Sequence, residues 1–72
     1  MTELGQYLSK KSASKAGISK KTGISKSRLS ELTLNPSTQL RARELYLIAL
    51  AIDMSPGEML EEIFKDLTLG ND

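Results

Sequence analysis

Nine lysine and arginine side chains stand between Lys10 and Arg43, namely Lys10, Lys11, Lys15, Lys20, Lys21, Lys26, Arg28, Arg41 and Arg43. Glu31 is the single acid among them, which leaves residues 9–43 at +8. Residues 44–72 reverse the balance, with seven acids against Lys65 alone and a charge of −6. The chain's total of +1 therefore hides a basic half and an acidic half. Such asymmetry suits binding to a polyanion and raises nucleic acid as a partner, the plain alternative being a solvated basic surface.

Catalytic chemistry is poorly supplied. The sequence has no Cys and no His, which excludes a disulfide framework, a thiolate or imidazole metal site and the usual nucleophilic triads. Carboxylates would have to act alone, and Glu61 and Glu62 fall on the outer face of a helix with no Gly-rich phosphate loop nearby. An enzyme is not expected, nor any metal or cofactor.

The elements that must carry these residues are helices, because apolar residues recur at helical spacing and no segment alternates with period two. Thr2 caps a first helix with Leu4, Tyr7 and Leu8 on one face, fraying near Lys11 and Ser12. Ser14 caps a short second helix anchored by Ile18 and weakened by Gly17. Thr22-Gly23-Ile24 makes a tight break at which Gly supplies positive φ. Ser25 caps a third helix with Leu29 and Leu32 facing inward, and Asn35-Pro36 ends it. A loop at 35–40 leads to a fourth helix over about 42–52, with Leu45, Ile48, Ala49 and Ile52 inward. Ser55-Pro56-Gly57-Glu58 then reads as a capping box opening a fifth helix, whose stripe is Met59, Leu60, Ile63, Phe64 and Leu67.

At 72 residues one domain is the ceiling, spanning 1–72, with the two short helices either side of Gly23 at about 14–34 and a tail at about 68–72 that frays. The longest apolar run, Leu45 to Ile52, is far short of the roughly 20 residues of a membrane span. The N-terminus does not have the pattern of a secretion signal. Absent cysteines fit a reducing, cytoplasmic setting. The fold class is thus all-α, a compact five-helix arrangement.

Two short helices joined by a Gly-centred turn make a helix-turn-helix, and the basic residues sit on it. SASKAGISKKTGISKSRLSEL is similar to the helix-turn-helix of the phage-repressor-like (Xre) family of transcriptional regulators. ELYLIALAIDMSPGEML is similar to that family's fourth and fifth helices, so the resemblance covers roughly residues 4–64. It implies a lambda-repressor-like fold, and a recognition helix at 25–34 lying in the major groove of double-stranded DNA. A prokaryotic or phage regulator, with a repressor's role, follows from the same resemblance.

By position in the family pattern, Lys26 and Ser27 reach base edges first, with Arg28, Ser30 and Glu31 as further candidates. Lys26 can donate to guanine, Ser27 can donate or accept, and Glu31 can accept from cytosine. Arg28 stands between groove floor and sugar-phosphate wall, and either role is open. Ser14 and Lys15, at the start of the second helix, suit a phosphate, as does Ser25. Lys10, Lys11, Lys20 and Lys21 are either phosphate contacts or solubilising residues. Arg41 and Arg43 sit against the helix dipole at the start of the fourth helix, which favours an intermolecular use, such as a phosphate contact.

Three departures from the family pattern stand out: Lys15 replaces a common Gln, Ser19 replaces a small Ala, and Thr33-Leu34-Asn35-Pro36 replaces an acidic-Asn-Gly ending. Ser19 can bond back to the Lys15 carbonyl.

Within the fourth helix, Leu45 to Ile52 is apolar on every face. Tyr46, Leu47 and Leu50 are either buried in the core or form a homodimer patch, joined by Leu67 and Leu69. A homodimer would read a palindromic operator with half-sites about 10 bp apart. Two other readings use the same fold: an antitoxin whose acidic half docks on a toxin, and an adaptor that binds protein and no DNA.

Overall fold

The computed structural model describes residues 1–70 and contains five helices: α1 (Glu3–Lys10), α2 (Lys15–Thr22), α3 (Lys26–Leu34), α4 (Ala42–Ala51) and α5 (Pro56–Ile63). Four of them start where a hydroxyl side chain can satisfy an orphan backbone donor. Thr2, Ser14 and Ser25 accept from the N–H groups of Gly5, Gly17 and Arg28 at 3.0, 3.1 and 3.0 Å, and Ser55 accepts from Glu58 at a longer 3.4 Å. Each such cap stabilises its helix by about 1 kcal/mol. The reciprocal Glu bond expected at Glu58 occurs on α4 instead, where Glu44 Oε1 accepts from the Arg41 N–H at 3.0 Å.

These helices are too short to persist alone, so packing holds them. α1 lies against α3 and α5, α2 against α3 and α4, and α4 against α5. One core joins them: Leu4, Tyr7 and Leu8 from α1, Ile18 and Ile24 from α2 and its turn, Leu29 and Leu32 from α3, Leu45, Ile48 and Ala49 from α4, and Met59 and Ile63 from α5. Leu29, Ile48 and Met59 are fully buried at its centre. Ile52 is only half-buried, packed against the rim with Met54.

The fifth helix differs from expectation. It ends at Ile63, and only Met59 and Ile63 of the anticipated stripe are buried. Leu60 and Phe64 follow them by one residue, hence by about 100° of rotation, which turns them away from the seam with α1 and α4. Both are exposed, as are Leu67 and Leu69 beyond the helix. Thr68–Gly70 have no regular structure and are exposed, and the remainder of the tail expected at 68–72 lies outside the described residues.

Two local features set how α2 and α3 meet their neighbours. Gly23 adopts φ +82° and gives its N–H to the Ser19 carbonyl, ending α2. Thr22 reinforces the turn, its Oγ1 donating to the Ile18 carbonyl (2.7 Å) and accepting from the Ile24 N–H (3.1 Å). Thr22 thus makes the kind of back-bond expected of Ser19. At the far end of α3, the Thr2 N–H donates to the Thr33 carbonyl (2.9 Å) and its Oγ1 to the Leu32 carbonyl (2.7 Å). Start of α1 and end of α3 therefore satisfy each other's unpaired backbone groups.

Candidate nucleic-acid interface

The inward residues of α3 are Leu29, Leu32 and Thr33, and its opposite face belongs to solvent. Lys26, Ser27 and Glu31 are exposed on it and Ser30 is half-buried. Positions 26, 27, 30 and 31 share one side of a helix by the 3.6-residue period, so the sequence places a cation, two hydroxyls and a carboxylate together there. That set offers donors and acceptors matched to base edges in a groove about as wide as a helix.

Arg28, read from sequence as a candidate base or backbone contact, is engaged within the protein. Its Nε donates to Glu44 Oε2 at 2.7 Å, and its Nη2 donates to Glu44 Oε1 and to the Gln39 carbonyl, both at 3.0 Å. Nη1 stands 3.9 Å from Glu31 Oε1. Glu44 is a buried acid, and the hydrogen bond from Arg28 holds its carboxyl below the usual carboxylate range despite burial, with the Arg41 N–H helping. The same bond raises the Arg28 guanidinium further above its ordinary value.

The other cations divide into two groups. Lys10 and Lys11 line shallow depressions with Tyr7, Glu58 and Glu62, on the side of α1 that meets α5. Lys11 Nζ lies 5.5 Å from the centre of the Tyr7 ring, a cation–π distance. The Tyr7 hydroxyl is pushed up first by burial and then by the Glu58 and Glu62 charges. Glu62 is held low by its hydrogen bond from Lys65 at 3.1 Å, with Lys10 and Lys11 adding to the effect. Lys21 donates to the Ala51 carbonyl at 3.3 Å, a cation at the negative end of α4. Acidic and basic halves of the sequence are thus interleaved in space along α1 and α5.

Lys20, Arg41 and Arg43 are exposed, and Lys15 is half-buried in a depression it shares with Ser9, Thr33 and Leu34. Ser14 and Ser25 are exposed, and their hydroxyls already accept a capping bond. Each retains its O–H as a donor, which is what a phosphate oxygen needs. Beyond α3, Asn35 Oδ1 accepts from the Ser37 N–H (2.9 Å) and folds the loop back.

Sequence reasoning missed Glu44, which it counted only as a member of the acidic half, and it missed Gly5 and Thr33. The third position of α4, three residues after Arg41, was the available signal for Glu44 as a capping acid, though nothing local points to Arg28. A Cβ on Gly5 would lie against the Thr33 carbonyl oxygen, so glycine permits the close approach of α1 to α3.

Of the apolar dimer candidates, Tyr46 and Leu50 are exposed one turn apart on α4, and Leu47 is half-buried. Among the described residues no cluster of three or more acids could hold a metal ion, and no helix is long and apolar enough to cross a membrane.

A capped helix, a Gly-centred turn and a second capped helix whose outer face is polar define a helix-turn-helix DNA-binding module. The chain belongs to the Cro/C1-type HTH DNA-binding domain family, whose profile it matches over residues 3–65. The match covers all five helices and agrees with the Xre-like resemblance of the sequence. Neither the curated proteins nor the solved structures compared with the chain include a match.

Proposed function

We propose that this chain is a sequence-specific transcriptional regulator, a repressor acting by occupying its operator as a homodimer. The observation that carries the reading is the outer face of α3, where Lys26, Ser27, Ser30 and Glu31 stand together without a core role. Lys26 and Ser27 at its N-terminus would enter the major groove first, with Ser30 and Glu31 a turn further in. Ser14, Lys15, Lys20, Ser25, Arg41 and Arg43 would hold phosphates on either side. We place Lys10, Lys11 and Lys21 outside this interface, since Lys10 and Lys11 line a depression with Glu58 and Glu62, Lys11 lies over the Tyr7 ring and Lys21 donates to the Ala51 carbonyl.

The dimer reading draws on α4. Tyr46 and Leu50 are 55% and 52% exposed one turn apart on α4, an adjacent apolar pair that a twofold contact could use. A second copy related by a twofold axis would cover them and set two recognition helices one DNA turn apart. The whole of residues 1–72 would then act as one unit. Selection of bound duplexes from a random pool at physiological salt tests the proposal. A palindromic consensus supports it, and a pool without enrichment contradicts it.

A further inference from the structure

We infer that Glu44 is a specificity-determining residue of this interface: it withdraws Arg28 from DNA and locks the 35–41 loop against the recognition helix. The inference rests on the DNA-reading role proposed above. A guanidinium carries five N–H donors, and bidentate recognition of guanine or phosphate uses a pair of nitrogens along one edge. Both accessible edges of Arg28 include Nη2, and Nη2 spends its two protons on Glu44 and on the Gln39 carbonyl. Nε is spent on Glu44 as well, leaving only Nη1 unbonded, near Glu31.

An arginine released from this site would stand on the recognition helix and pair with any phosphate it met. Such a contact strengthens binding to every sequence alike and so lowers discrimination. Glu44 prevents this, because leaving it for a phosphate would strand a carboxylate whose side chain is only 8% exposed. Its Oε1 also accepts from the Arg41 N–H, and Arg28 holds the Gln39 carbonyl, so the pair fixes both ends of the turn that leads into α4. Arg41 and Arg43 are thereby placed relative to the reading face of α3. Glu44 touches no DNA in this account; it positions groups that do.

The test compares wild type, Glu44→Gln and the Arg28→Gln/Glu44→Gln double variant on two duplexes, one enriched from a random pool and one shuffled to the same composition. Affinity is measured across a salt series, with far-UV circular dichroism as a check on folding. Glu44→Gln is expected to bind the shuffled duplex several-fold more tightly, to lose about tenfold in its preference for the enriched one, and to steepen the salt slope by about 0.9. The double variant has the wild-type net charge and no guanidinium to release, so its slope should match wild type. A Glu44→Gln slope equal to wild type, or a double-variant slope shallower by about 0.9, overturns the inference. The second outcome decides even if Glu44→Gln fails to fold. Wild type showing no preference between the duplexes would remove the DNA-reading role itself, and this inference with it.

Discussion

Gly5 and Thr33 touch backbone to backbone across the α1–α3 seam, with the Thr33 carbonyl where a side chain on residue 5 would begin. Gly5→Ala should therefore destabilise the protein by about 1–2 kcal/mol, since the clash with a fixed carbonyl outweighs the helix-propensity gain of up to about 1 kcal/mol. Gly17 is the control: a Cβ there meets only Ser14, at 3.7 Å, an ordinary contact. Gly17→Ala should stabilise by about 0.5–1 kcal/mol. Thermal denaturation of the two variants separates close approach from propensity.

The Arg28–Glu44 pair predicts an acid-sensitive contribution to stability. Glu44 is held below its ordinary value of 4.5, so its stabilisation is fully present above that pH and is lost as pH falls through the lower folded-state value. Glu44→Ala should cost about 2 kcal/mol at neutral pH by unpairing both Arg28 and the Arg41 N–H. Glu44→Gln, which has no proton to gain, should flatten the acid limb of stability against pH in urea titrations. An unchanged acid limb would mean the pair contributes nothing measurable.

Among the cations, position in space rather than in sequence should decide the effect on DNA binding. Lys26→Ala is expected to weaken binding about tenfold, as loss of a group at the groove would. Lys10→Ala and Lys11→Ala should leave affinity within about twofold and the salt slope unchanged, because these residues face Tyr7, Glu58 and Glu62. Fluorescence anisotropy across a salt series distinguishes the two groups.

The dimer proposal predicts that Tyr46→Glu with Leu50→Glu gives a monomer by sedimentation. Stability of the subunit should change by less than about 1 kcal/mol, since both side chains are exposed in the single chain. Binding to a palindromic duplex should fall to that of one half-site. A double variant that still sediments as a dimer would place the interface elsewhere.

Local signals in the sequence are read correctly where the physics is local. Ser14, Ser25 and Ser55 begin helices because a hydroxyl can meet a donor three residues on, and Gly23 ends one because it alone tolerates φ +82° cheaply. Leu29, Ile48 and Met59 lie in the core that helical spacing assigns them. Arg28–Glu44 spans 16 residues and Thr2–Leu32 spans 30, and no periodicity connects such pairs. The division into basic and acidic halves misleads for the same reason, because folding sets Lys10 and Lys11 beside Glu62. A stripe over Met59, Leu60, Ile63, Phe64 and Leu67 is wider than the side of α5 that meets α1 and α4, which buries Met59 and Ile63 and leaves Leu60 and Phe64 exposed.

Base reading by the outer face of α3 is tested most directly at Glu31. It is exposed, an unambiguous acceptor, and it holds only a distant 3.9 Å contact with Arg28. Selection from random duplex DNA, repeated with Glu31→Ala, should return the wild-type consensus relaxed at one base position of each half-site, at a cost of about 1–3 kcal/mol for the preferred base. An identical consensus and affinity from the Glu31→Ala protein would contradict the account.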